Sequence, residues 1–392
     1  MYNKILSFFR PLIVILLITV LILTSACIKI VTDTPTSTII PATTTSSTSI
    51  LTSTTALATT TFIPTNTTNS GIRELVFTSN GNLYVMQADG SNRELIPNYY
   101  ANYYDAGYSL PDFTRNGSGM VFVQNGDLFI MNMDGSNKTK VTNHGSGCSD
   151  PKWSPDASHI VFLLNLQPYV INADGSNEHA VAVGISAMKF YAELTWSPDG
   201  SKIAFVTPWG STGNGGLYSD ICVANSNGSG YVIVSPHNGS YDSPSWSPDG
   251  SIIVFGSGNH IYSVFPDGSN LKTITTSIPV TGMRGLALSP DGSLVSCIGT
   301  DDGPTGNYDN IFVFNLSGSY EKEITLDRGV TTKNGMASGY FRADWSPDGK
   351  KIIGLLGHNE DGSTDVNLMD PDGSNLTKLC NVICDYIFII KY

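Results

Sequence analysis

Trp196-Ser197-Pro198-Asp199-Gly200-Ser201-Lys202-Ile203-Ala204-Phe205-Val206 sets an aromatic anchor, a tight turn and an apolar stretch in immediate succession. Proline fixes φ at about −65° and suits the first central position of a turn, and glycine accepts the positive φ that closes it. The apolar flank after the turn alternates as a strand does. The same signature returns at Trp153–Ala157, Trp246–Gly250, Leu288–Gly292 and Trp345–Gly349, with a worn copy at Phe113–Gly117.

A second signature, D-G-S-N, alternates with the first at Asp89–Asn92, Asp134–Asn137, Asp174–Asn177, Asp267–Asn270 and Asp372–Asn375. Asn227-Gly228-Ser229 and Ser317-Gly318-Ser319 are its worn copies. Asp-Gly between apolar runs is a strong hairpin signal. From Asp89 to Asp372 the unit recurs every 47 residues or so. Three of the six spacings from the first signature to the second are 18 residues, and the other three carry insertions. A constant minimum with local insertions predicts rigid hairpins joined by one tolerant loop.

Each unit therefore reads as four antiparallel strands, a to d, with S-P-D-G between a and b and D-G-S-N between c and d. Such a unit is one blade of a β-propeller. The chain enters the first unit at Glu74–Thr78, which matches strand b, and leaves with Asp385–Ile390, which resembles a strand a. A C-terminal strand donated to the first blade closes a ring and removes two exposed edges. The expectation is an all-β, seven-bladed propeller over residues 71–392, with six blades and a docked hairpin as the other count.

Composition agrees. Charged residues are 14% of the chain, and 39 Gly with 20 Pro favour short strands and turns over long helices. A net charge of −12 repels phosphate backbones, so no nucleic-acid partner is expected. The 41% hydrophobic share excludes global disorder.

The first residues read as an address. Lys4 and Arg10 precede an uncharged run from Pro11 to Leu23, then Thr24-Ser25-Ala26-Cys27. Small residues before a cysteine resemble a bacterial lipobox, which implies a signal peptide over residues 1–26 and a lipid on Cys27. An uncleaved anchor is the alternative, since Pro11–Ile28 falls just short of a spanning helix. Residues 27–70 read as a disordered tether; from 31 to 70 there are 23 Ser or Thr in 40 residues. Either reading places the rest outside the cytoplasmic membrane, anchored to it.

The paired signatures resemble the TolB-type, WD-like β-propeller repeats over about 320 residues. Relatives of that kind include the TolB protein of the Tol–Pal envelope system and propellers that gate prolyl oligopeptidase-type peptidases. TolB proteins carry a small α/β domain where this chain has a Ser/Thr tether, and the peptidases carry a hydrolase domain whose G-x-S-x-G this chain lacks.

The repeated turns are scaffold in this reading, and sites are expected on the face of the b–c and d–a loops. Aromatic residues gather there: Tyr99, Tyr100, Tyr103, Tyr104, Tyr108, Tyr191, Tyr241 and Tyr340, with Trp209 in an insertion. They are candidates for ligand contact or for packing under their own loops. Asp150, Glu193, Asp242, Arg284 and Arg342 stand three or four residues before the blade anchor, and Asp385 is a further member. Strand a is innermost, so these residues should ring the channel mouth, either holding a ligand or pairing with one another. Asp301, Asp302, Asp309, Glu360, Asp361 and Asp365 in the insertions are a weaker set for a hard cation.

No H-E-x-x-H or other local histidine pair occurs, so neither metal nor cofactor is expected. Cys222 and Cys297 read as buried thiols, and Cys148, Cys380 and Cys384 leave one disulfide open. The expected function is recognition of an envelope protein, peptide or cell-wall glycan, without chemistry. A hydrolase or lyase using the channel-mouth carboxylates, or an accessory subunit of a Tol-like envelope system, is the competing class.

Overall fold

Ser197 closes its turn with both capacities of its hydroxyl. It accepts the Lys202 N–H at 2.9 Å and donates to Asp199 Oδ1 at 2.6 Å, and Asp199 Oδ1 accepts the Ser201 N–H at 3.0 Å. Ser154, Ser247, Ser289 and Ser346 repeat the set. Thr114 and Asn116 rebuild it in the worn copy. These hydroxyl residues are buried, so the hydroxyl has to satisfy an N–H that water does not reach.

The computed structural model describes residues 72–79, 82–87, 91–99, 110–185, 193–211, 217–274, 280–303, 306–317, 321–325, 339–358, 363–383 and 386–391. The expected signal peptide, Cys27 and the tether lie outside the described residues, as do Tyr100, Tyr103, Tyr104, Tyr108, Tyr191, Cys384 and Asp385.

The strands form seven four-stranded antiparallel sheets. Six run a-b-c-d in chain order, from Asp112–Phe113 at the start of blade 2 to Thr377–Ile383 at the end of blade 7. Blade 1 is built from both ends of the propeller. Tyr386–Lys391 is its strand a, followed by Ile72–Ser79, Asn82–Gln87 and Glu94–Leu95. Val76 pairs with Phe388 and Thr78 with Tyr386, so the ring closes as the termini predict.

The core lies between blades. Among the described residues there are seven hydrophobic clusters, each joining two neighbouring sheets. Leu75, Phe77 and Met86 of blade 1 pack on Ile353, Leu355 and Val366 of blade 7, which completes the circle. Strand b is covered on both faces, so Ile203, Ala204, Phe205 and Val206 are all buried. That corrects the alternation expected from the sequence: a sheet sandwiched between two others wants a continuous apolar run.

Trp196, Trp246 and Trp345 are buried as expected of blade anchors. Each indole N–H donates to the preceding blade's strand a, at Lys152 O (3.1 Å), Thr195 O (3.3 Å) and Ala287 O (3.0 Å). The S-P-D-G turns also touch in sequence: a Cβ on Gly292 would lie 3.2 Å from Pro248, and one on Gly349 3.3 Å from Pro290.

Two insertions lengthen hairpins where loops were expected. Strands Lys202–Ser211 and Leu217–Asn225 pair to Ser211↔Leu217, and Leu294–Gly303 and Gly306–Asn315 pair to Gly303↔Gly306. Cys148, Cys222 and Cys297 are buried thiols. Cys148 sits between blades 2 and 3, while Cys380 packs beside blades 7 and 1, so these two form no bridge.

Candidate functional site

Four consecutive strands a enter the channel through one backbone kink. Three residues before the blade anchor, Asp150, Glu193, Ser243 and Gly285 adopt φ of 49°, 45°, 53° and 62°. The pairing of strand a with strand b slips at this point in blades 3, 5 and 6. Glycine tolerates this left-handed region freely, but another residue gives up about 1–2 kcal/mol there. Blades 3, 4 and 5 thus keep a side chain where blade 6 has none, and two of those side chains are acids.

The kinks are tied from blade to blade. The Glu193 carboxylate accepts the Ser243 N–H, and Ser243 Oγ accepts the Gly285 N–H at 2.9 Å. Asp242 stands one residue earlier in its strand, so the predicted rim occupies two registers. Asp150 and Glu193 share the kink position, while Asp242 and Arg284 precede it.

Burial acts on all three rim acids. Desolvation raises the Asp150 carboxyl above the usual carboxylate range, only partly offset by Ser149 and Lys152. It raises Asp242 to about 6, against the pull of Ser243 and Arg284. Desolvation and the Asp242 charge together raise Glu193 to about 7, although the residue as a whole is exposed. Protein crowds the Glu193 carboxyl while the rest of the side chain meets solvent. Asp242 Oδ1 is buried with no hydrogen-bond partner among the described residues.

The predicted cations are committed elsewhere. Arg284 Nη2 pairs with Asp309 Oδ2 at 2.6 Å, and Thr300 Oγ1 donates to the other Asp309 oxygen at 2.6 Å. Arg342 lies 3.9 Å from Asp344. Asp365 is held by Lys378 at 2.7 Å, by His358 at 3.1 Å and by Asn381. Two of the carboxylates considered for a cation are therefore already neutralised. Among the described residues no group of three His, Cys, Asp or Glu is placed to hold a metal ion.

Three of the predicted contact tyrosines turn out to be core. Tyr99, Tyr241 and Tyr340 are 6%, 2% and 2% exposed, and Tyr241 packs edge-on against Phe255. Their rings pack in the clusters between blades, with Phe122, Phe255 and Ile311 respectively, so packing takes them out of reach of a ligand. Trp209 falls in strand Lys202–Ser211, with its side chain outside the described residues.

One repeated device escaped the sequence reading. Asp127, Asp220 and Asn310, each on a strand c, accept the hydroxyl of Thr142, Ser235 and Thr325 fifteen residues on. Each hydroxyl in turn accepts the N–H of Leu128, Ile221 or Ile311. It pins the start of the d–a loop to strand c. A constant fifteen-residue offset was its only trace, without a recognisable tetrapeptide.

The fold and rim define a seven-bladed propeller with an acidic sector at one mouth. Residues 78–280 match the model of the TolB beta propeller domain, and the chain belongs to that family. No curated protein matches the chain. Among solved structures it is similar to an oligogalacturonate lyase in complex with manganese, at 14% identity and TM-score 0.54, covering 70% of this chain and 76% of that one. The Vibrio parahaemolyticus oligogalacturonate lyase is similar at 15% identity and TM-score 0.54, over 70% and 77%. A putative TolB from Agrobacterium tumefaciens shares 18% identity over 79% and 90%, with TM-score 0.44. At these identities the likeness is one of fold.

Proposed function

We propose that this propeller is an extracytoplasmic recognition module, anchored to the membrane through Cys27, that takes a cationic group of an envelope protein or peptide at the channel mouth. The observation that carries the reading is the strained, acidic kink of blades 3 and 4 with Asp242 beside it. Strain kept where glycine would relieve it points to a working position. Asp150, Glu193 and Asp242 are desolvated carboxyls in adjoining blades, and an incoming ammonium or guanidinium would stabilise their charged forms. A wall glycan would be met on the same face through amino groups.

The enzyme reading draws on one of the same groups. A carboxyl titrating at about 7 beside a second acid suits general acid–base work, so a lyase or hydrolase is the alternative. Binding of a tetralysine peptide to the full chain tests the first reading. The affinity should fall about tenfold with Glu193→Gln plus Asp242→Asn, and rise as pH climbs through 6 to 7. Unchanged affinity in the double variant would reject it. Release of the protein from membranes by Cys27→Ser checks the anchor, and retention would favour an uncleaved helix.

A further inference from the structure

An internal repeat supplies its own control: a position that the scaffold needs is filled alike in every blade, and a departure marks some other demand. Phe265 is such a departure. It follows strand c of blade 5, His260–Val264, at the register held by Gln87, Asn132, Asn172, Asn225, Asn315 and Asp370 in the other blades. Asn132, Asn172 and Asn225 each donate to the serine four residues on, at 2.9, 2.9 and 3.1 Å. Phenylalanine forgoes that bond and leaves its ring 39% exposed.

Tyr231 lies near it in the preceding blade. It begins strand d of blade 4, Tyr231–Ile233, at a register that the other blades fill variously with Arg93, Lys138, Glu178, Leu271, Glu321 and Leu376. The cations of blades 1 and 2 fold back over their own blades, Arg93 to 4.2 Å from the Tyr84 ring and Lys138 to 5.3 Å from Phe129. Tyr231 instead stays 46% exposed.

Both residues line one cleft of about 720 Å³ between blades 4 and 5, within the size range of small-ligand sites. It opens on the face of the repeated turns, opposite the channel mouth just described. Its polar lining is Lys202 and Asn225 on one side and Ser251 and Asp267 on the other. The blades are also further apart here. A Cβ on the turn glycine would lie 2.5, 2.8, 2.8 and 2.6 Å from the preceding blade's carbonyl at Gly135, Gly175, Gly228 and Gly373, but 3.7 Å at Gly268.

We propose that this cleft binds an uncharged saccharide of one or two pyranose rings. The apolar C–H faces of a pyranose lie against Tyr231 and Phe265, which offer stiff aromatic contact area, with a polar tip on the tyrosine. Its ring hydroxyls need donors and acceptors at both edges. Lys202 Nζ donates to Asn225 Oδ1 at 2.7 Å and keeps further N–H groups, while Asp267 uses Oδ1 within its own turn and leaves Oδ2 as an acceptor. One ammonium and one carboxylate in the lining balance, which favours a neutral ligand over an acidic one on a protein of net charge −12.

The test is calorimetric titration of the full chain with maltotetraose, cellotetraose and tetra-N-acetylchitotetraose, alongside a decaproline peptide. At least one saccharide should bind with Kd at or below about 1 mM. Phe265→Asn, which restores the side chain of the equivalent places, and Tyr231→Lys should each weaken it about tenfold or more while thermal unfolding is unchanged. Binding by none of the three saccharides, binding indifferent to both substitutions, or capture of decaproline in preference to sugar would each overturn the proposal. The cleft and the channel mouth lie on opposite faces, so tetralysine binding can fail while saccharide binding stands, and the reverse.

Discussion

The carboxylates of the turn face and those of the channel rim are the same chemical groups pushed in opposite directions. On the turn face, Asp156 accepts from Ser154 and Ser158, and those bonds bring its carboxyl down to about 2. Asp249 is likewise held at about 2 by Ser247 and Ser251. At the rim, burial outweighs hydrogen bonding, and Glu193 and Asp242 rise to about 7 and 6. The first set has its charge fully answered by local donors, as a scaffold requires. The second is left under-answered, and one Asp242 oxygen has no partner among the described residues.

The sharpest way to probe that contrast is to remove a scaffold group outright. Trp345 is 1% exposed and its indole N–H is bonded to Ala287 O. Trp345→Ala should cost ~3–5 kcal/mol in urea unfolding, by cavity and lost transfer energy. Trp153 occupies the same place in blade 3, but it is only half-buried and its indole N–H is unpaired among the described residues. Trp153→Ala should therefore cost less, by about 1 kcal/mol or more. Equal losses would show that the anchors act through bulk alone.

A smaller effect separates buried turns from exposed ones. Ser346→Ala strands the Lys351 N–H and takes one donor from Asp348, at a cost of ~1–3 kcal/mol. Ser176 makes a similar bond to Asp174 in an exposed D-G-S-N turn, and Ser176→Ala should stay within about 0.5 kcal/mol. If the two variants unfold alike, burial is not what makes the S-P-D-G serine matter.

The fold was legible in the sequence because its punctuation is local. Ser197, Pro198, Asp199 and Gly200 build a turn that needs nothing from afar, and repetition multiplied the signal until blade number and closure followed. The worn copy at Thr114 and Asn116 keeps the hydroxyl and the acceptor, which is why the spacing survived there. The site was legible only in part. Position relative to the anchor placed Asp150, Glu193 and Asp242 on or just before strands a, but the kink that sorts them into two registers is a φ value, and a side-chain pattern does not carry it. Tyr241 and Tyr340 looked like contact residues because a loop aromatic reads the same whether it faces in or out; the decision belongs to the neighbouring blade. Phe265 went unremarked for a related reason. It lies on the face assigned to scaffold, and only alignment of the seven strands c shows that it breaks the rule.

The finest comparison is acid–base and reads both faces in one experiment. A carboxyl whose folded value lies above its unfolded value favours the fold below the unfolded value, and that contribution is lost as pH rises through the folded one. Glu193 therefore withdraws stability between about 4.5 and about 7, and Asp242 between 3.8 and about 6. The turn aspartates run the other way: the contribution of Asp156 is complete above 3.8 and disappears as pH falls toward about 2. Self-repulsion at a net charge of −12 adds to the loss at the alkaline side. Urea midpoints should therefore peak on the acid side of neutrality, between the two windows. Glu193→Gln should flatten the slope from pH 5 to 7 and leave the acid limb intact, because a neutral amide has no proton to release. Asp156→Asn should do the reverse, weakening the dependence below pH 4 only. A Glu193→Gln profile that keeps the wild-type slope would mean that the rim carboxyl is as well solvated as any surface acid, and the distinction between the two faces would then rest on position alone.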